Sequence, residues 1–232
     1  MVPILVELTE EKIKEAICKN FADLCDILPK EQVNACQEDG MRWFSSSVSN
    51  PLFNRVVSTN CNEVDLPLVV DDITNYYQEK KLPFMWMTCS ELDKPHNLKN
   101  YLEENGFGSI GTMPGMALKL EDLSGENANI PGLEIEEVKT EDDFSSFMKV
   151  LKEGFEATDE VANGFRIIDE AILNQPEYGT HFLARLDGEV VAISSVIYLA
   201  GVAGIYNVAT LEKARSKGMG TAITKQPLFE AK

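Results

Sequence analysis

The residues best equipped for chemistry in this 232-residue chain are Arg215-Ser216-Lys217-Gly218-Met219-Gly220-Thr221-Ala222, which join a strand pattern to a helix near the C-terminus. Two glycines let the main chain approach a bulky anion and turn its N–H groups inward. The start of the helix adds partial positive charge, typically ~0.3–1 kcal/mol per anionic group. Ser216 and Thr221 carry hydroxyls that can donate as well. Lys213, Arg215, Lys217 and Lys225 stand here with only Glu212 and Glu230 as acidic neighbours, a basic island in a chain of net charge −17. A pyrophosphate needs such a setting. The competing reading is an ordinary strand–helix connection, and Gly218-Met219-Gly220 alone would not exclude it. The order strand, R-x-x-G-x-G, helix favours the anion cradle.

Other chemistries have less to work with. The acidic balance argues against nucleic acid, which needs a basic face; it suits a cationic substrate such as an amine, although acidity also serves solubility. His96 and His181 are the only histidines, so histidine-ligated metals and His-based triads are disfavoured, and both are read as structural. Cys18, Cys25, Cys36, Cys61 and Cys89 are odd in number and never spaced C-x-x-C, which reads as small buried residues or unreactive thiols. The N-terminus, Met1-Val2-Pro3-Ile4-Leu5-Val6-Glu7, has no basic flank and too short an apolar stretch for a signal peptide. No apolar run reaches the ~20 residues that span a bilayer. The expectation is a soluble, cytoplasmic protein without a membrane partner, its 44% hydrophobic content sufficient for a core.

The elements that must position the cradle fall into two α/β regions, 1–122 and 130–232, separated by the polar, Gly- and Pro-containing stretch Glu121–Gly132. In the first region, Thr9 is a plausible cap for a helix through Ile13, Ala16 and Ile17 and past Phe21 and Leu24. Strands are expected over Arg42–Val48, Phe53–Ser58, Pro83–Thr88 and Ile110–Leu120, with helices over Leu66–Lys80 and Leu98–Glu104. In the second, Leu133–Val138 alternates as a strand. Thr140-Glu141-Asp142-Asp143 opens a helix to about Lys152, with Phe144, Phe147, Met148 and Leu151 on one face. Thr158–Asn174 reads as one or two helical pieces. A meander follows: His181–Leu186, the hairpin signal Asp187-Gly188, Glu189–Leu199, a turn at Ala200-Gly201, and Val202–Ala209. A helix starting near Gly218 comes last.

With these residues in place, Val208 to Ala222 resembles the acetyl-CoA signature of the GNAT superfamily of N-acetyltransferases, whose core is [QR]-x-x-G-x-[GA]. The element order of roughly residues 133–232 is similar too, and the N-terminal half, 1–122, particularly Pro83–Leu120, resembles the second half of such a domain, as a degenerate copy without the loop. The resemblance implies an α/β (α+β) acyl-CoA N-acyltransferase fold with a mixed, mainly antiparallel sheet flanked by helices. It implies acetyl-CoA as cosubstrate and no metal. Loop amides of Ser216, Lys217, Gly218, Met219, Gly220 and Thr221 would hold the pyrophosphate, with Arg215 also binding the cofactor. The strand end at Val208, Ala209 and Thr210 would pair with the pantetheine arm.

In that family a fifth strand, a further helix and closing strands follow the glycine-loop helix, whereas Lys232 falls within that helix. Either the C-terminal portion is missing or another segment supplies those strands, with residues 83–120 a candidate within the chain or between two chains of a homodimer. The implied reaction is direct attack of a neutral amine, of a small molecule or a protein, on the acetyl thioester. Tyr206, Glu212, Glu153 and Glu156 are weak candidates for the base, Phe155 and Tyr198 for the acceptor site, and no catalytic residue is assigned. Two rivals stand beside the enzyme: a non-catalytic CoA-binding or assembly module, and a nucleotide-binding protein. The latter lacks a Walker Lys-Ser/Thr, since Thr221-Ala222 follows Gly220.

Overall fold

The computed structural model describes residues 4–37, 40–125 and 129–232. Met1, Val2 and Pro3 of the N-terminal reading, and Glu126, Asn127 and Ala128 of the linker reading, lie outside the described residues. The chain divides into two compact units, Leu5–Met116 and Ala117–Lys232, the second of which also takes in Ile4.

The first unit opens with α1 (Glu10–Ala22), where the Thr9 hydroxyl accepts the Lys12 N–H and so satisfies one orphan donor of the first turn. Strands β1 (Val33–Cys36), β2 (Met41–Ser46) and β3 (Asn54–Thr59) form an antiparallel meander. Helix α2 (Leu66–Glu79) then crosses over to β4 (Met85–Trp86), which lies parallel to β3, and α3 (Leu98–Glu104) follows. Tyr77 of α2 is fully buried; its hydroxyl donates to Phe44 O at 2.7 Å while its ring stacks on Phe84.

Two expectations for this unit are corrected, and one strand was not anticipated. Val33–Cys36 is a strand that its two central polar-facing positions disguised. Residues 110–119 form no regular element, and Ile110, Met113 and Met116 are exposed; alternation alone does not make a strand when no ladder partner is present. Cys18 and Cys89 are not thiols but a disulfide, closing a sequence separation of 71 residues between α1 and the turn after β4. Spacing could not reveal it, because only the fold brings the two together. Cys25, Cys36 and Cys61 are free.

The second unit contains β5 (Leu133–Glu137), α4 (Glu141–Gly154), α5 (Asp159–Leu173), β6 (Gly179–Leu186), β7 (Glu189–Leu199), β8 (Val202–Thr210) and α6 (Met219–Glu230). The sheet runs β5-β6-β7-β8, antiparallel throughout. Both hairpins turn on a pair of left-handed residues, Asp187-Gly188 and Ala200-Gly201, the geometry whose twist matches that of the strands. Alternation sorts the side chains. Leu183, Ile193 and Ala209 pack with Phe144, Phe147 and Leu151 of α4. Phe182, Ala192 and Val196 pack with Met219 and Ile223 of α6. Residues 83–120 contribute no strand to this sheet, since β4 belongs to the sheet of the first unit.

Helix α6 contains Pro227, which has no N–H to donate to the carbonyl four residues back. That carbonyl, Ile223 O, instead accepts the hydroxyl of Ser194 at 2.8 Å. Ser194 is fully buried in β7, so sheet and helix satisfy each other at the point where proline breaks the ladder. We predict that Ser194→Ala lowers unfolding stability by about 1–3 kcal/mol, the usual cost of an orphaned buried acceptor. In a Pro227→Ala background, where an N–H returns, the same change should cost much less. Urea titration of the four variants measures both values.

Candidate active site

The basic stretch singled out in the sequence forms one continuous turn between β8 and α6. Leu211 leaves the strand, Glu212–Ala214 make a single 3-10 turn, and Arg215–Gly218 carry the chain into the helix. Ser216 has φ +60 and Gly218, the N-cap of α6, has φ +84. Gly218 is the position where left-handed backbone demands glycine. No side chain caps α6, so the first-turn N–H groups keep the donor capacity that a capping oxygen would have taken. The residues from Arg215 to Gly218 are exposed, as is Thr221, while Met219 is buried and Gly220 half-buried. A Cβ added at Gly220 would lie 3.6 Å from Thr210 Oγ1, which puts the first turn of α6 against the end of β8.

The cations are less free than the sequence implies. Arg215 Nε donates to Thr210 O at 3.0 Å, clamping the turn to the strand. Lys213 pairs with Glu189, and Lys217 Nζ donates to Lys213 O at 2.9 Å. All three side chains are surface groups, and the pairing holds the turn rather than neutralising its amides.

Strand β8 lies at the end of the sheet order, and its ladder is irregular. Ala209 pairs with Ile193 and Tyr206 with Ser195, so Asn207 and Val208 together oppose Ser194. This is a β-bulge, with Asn207 left-handed at φ +52. Leu211 N–H donates to Val191 O. Counting back from that bond, antiparallel alternation turns the Ala209 peptide group to β7 and those of Val208 and Thr210 toward the sheet edge, up to the bulge, where the alternation ends. Ala209 is buried, its methyl so close under α4 that a Cβ at Gly154 would approach it to 2.8 Å.

Behind the bulge lies a buried polar network. Asn207 Nδ2 donates to Asp169 Oδ1 at 2.8 Å and to Ser195 Oγ at 3.3 Å. His181 Nε2 faces the Asp169 carbonyl at 2.9 Å and so carries its proton there; Nδ1 accepts the Ser195 hydroxyl at 2.8 Å. Asp169, His181 and Ser195 are at most 1% exposed. Asp169 Oδ2 has no partner, and burial pushes this carboxyl well above the usual range. His181 was read as structural and is buried against Phe147, yet its role in this network, like those of Asp169, Ser195 and Asn207, was missed. An asparagine inside an apolar strand, Tyr206-Asn207-Val208, was the available signal, because Asn tolerates left-handed backbone.

The base and acceptor candidates do not converge. Glu153, Glu156 and Glu212 are exposed, and Phe155, 45% exposed, stacks on Phe165. Tyr206 and Tyr198 are half-buried in the sheet, and His96 is exposed in the first unit.

Burial lowers His181 to about 4 from an ordinary 6.5. The unfolded chain therefore binds the proton first, and stability is lost as pH falls from about 6.5 toward 4, by at most roughly 3 kcal/mol. We expect His181→Asn to flatten that part of the stability–pH curve, read from urea midpoints across the range.

Comparison with known proteins places this geometry. No protein-family model matches the chain, and no curated protein does either. Among solved structures, a GCN5-related N-acetyltransferase from Kribbella flavida is similar over 93% of this chain and 81% of its own, at TM-score 0.69 and 19% identity. A Clostridium acetobutylicum protein solved with acetyl-CoA is similar over 43% of this chain and 73% of its own, at TM-score 0.35 and 13% identity. The glucosamine-6-phosphate N-acetyltransferase of Arabidopsis thaliana is similar over 43% and 74%, at TM-score 0.33 and 18% identity. The last two likenesses are partial, and nothing rests on them. The chain has the fold of the GCN5-related N-acetyltransferases.

Proposed function

We propose that the protein is an N-acetyltransferase that moves the acetyl group of acetyl-CoA to a primary amine. The observation that carries this reading is the uncapped start of α6 set against the open, bulged end of β8. Diphosphate fits the turn: the amides from Ser216 to Thr221 supply donors, Gly218 and Gly220 leave room, and Lys217 and Lys225 supply positive charge nearby. The outward peptide group of Val208 and the N–H of Thr210, whose carbonyl Arg215 already holds, suit an amide-bearing arm such as pantetheine, which would lie along the edge as an added strand does.

The chain's own work is then to place two reactants and polarise a carbonyl with main-chain N–H groups. The amine nitrogen forms a bond to the acetyl carbon, the carbon–sulfur bond breaks, and the thiolate takes up a proton. The amine surrenders its proton to a base or, through water, to solvent. The acidic surface suits a cationic acceptor, small or protein-borne. A cytoplasmic location belongs to the same proposal; there the Cys18–Cys89 disulfide would stand against a reducing thiol pool.

A second reading, a CoA-binding module without catalysis, draws support from the exposed, scattered base candidates. Calorimetry with coenzyme A, followed by thiol release from acetyl-CoA over an amine panel, separates the two. Binding with release supports the enzyme, and binding without release on any amine supports the module. We predict that Gly220→Glu abolishes coenzyme A binding, since it puts bulk and negative charge beside Thr210. Arg215→Ala should weaken binding, more so at low salt. Unchanged affinity in Gly220→Glu would refute the site.

A further inference from the structure

We infer that Asn207 is a positioning residue for the acetyl carbonyl, aiming the main chain of the β8 bulge while itself held by buried Asp169. The inference rests on the acetyl-transfer reading and deepens it.

The bulge is the one place where β8 departs from a regular ladder, and Asn207 occupies its left-handed position. Such a backbone is costly for most residues unless the surroundings hold it. Here they do. The Asn207 amide reaches inward to Asp169 Oδ1 at 2.8 Å, and to Ser195 Oγ at 3.3 Å. Ser195 is fixed in turn by His181, and His181 by the Asp169 main chain. Each donor and acceptor has one orientation, so the Asn207 side chain cannot rotate without breaking a bond. A fixed side chain holds the left-handed backbone of the bulge, and with it the direction of the neighbouring Val208 peptide group at the sheet edge.

The arrangement is expensive if it serves the fold alone. Asp169 is fully buried with Oδ2 unpartnered, and a buried carboxyl without full partners destabilises where an apolar residue would not. Burial favours its neutral form, and Oδ1 accepts from Asn207. What the expense secures is direction: a bulge amide placed where carbonyl charge develops acts at full strength only when it needs no reorganisation.

The test uses the full chain and acetyl-CoA labelled with carbon-13 at its carbonyl. Infrared difference spectra report the thioester carbonyl, and calorimetry reports affinity. In the native protein the bound carbonyl band should move to lower wavenumber than that of free acetyl-CoA. Asn207→Gly keeps the left-handed backbone accessible but removes the anchor. It should bind coenzyme A with little change, return the band toward the free position, and lower kcat on the order of 10- to 100-fold with KM for acetyl-CoA little altered. Asp169→Asn, which keeps an acceptor oxygen and its packing, should retain the shifted band; Asp169→Ala should lose it. Asn207→Asp, of the same shape but without donors, repeats the test should the glycine variant not fold. A folded Asn207→Gly with the native band and kcat overturns the inference and leaves the acetyl-transfer reading standing. A native protein that does not bind coenzyme A overturns both.

Discussion

An edge strand carrying one residue too many is the constraint on which the second unit's candidate site depends. In a regular antiparallel ladder the peptide groups of β8 would alternate strictly, one toward β7 and the next toward the edge. The pair Asn207-Val208 breaks that alternation opposite Ser194. Thr210, Arg215 and the glycine turn all lie downstream of it. Their relation to the edge follows from where the bulge falls. It persists because the polar network beneath it leaves Asn207 no alternative partner of equal quality.

The two units share a meander and the helix that follows it, and differ at the outer side of the third strand. β1-β2-β3, then α2, matches β6-β7-β8, then α6: an antiparallel meander followed by a helix. In the first unit β4 lies parallel beside β3, pairing through Arg55 and Val56. In the second, no described strand lies on the outer side of β8. The third strand is thus covered in one sheet and open in the other, and the glycine turn occurs only where it is open.

Much of this was legible in the chain. The Asp187-Gly188 and Ala200-Gly201 signals, the capping residues Thr9 and Thr140, and the apolar stripe Phe144-Phe147-Met148-Leu151 each encode their element locally. Local signals need no partner to be read. The turn from Arg215 to Gly220 was visible for the same reason. What stayed hidden depends on distant residues: Cys18 meets Cys89 across the first unit, and Ser194 meets the carbonyl that Pro227 strands. Asp169 and Asn207 lie 38 positions apart on a helix and a strand, and neither carries a motif. Residues 110–119 show the reverse error, since their strand-like pattern has no neighbour to pair with.

The Ser194–Ile223 contact described above has a mechanical corollary. A helix packed only by apolar side chains can creep along or roll upon a sheet by exchanging one ridge for another at modest cost. α6 cannot, because its proline leaves a single carbonyl that must stay over a single hydroxyl. The pin sits just before the middle of the helix, so its leading turn swings, if at all, as the short end of a lever about Ile223. Sequence drift at 194 and 227 should therefore be correlated, each tolerated only in step with the other.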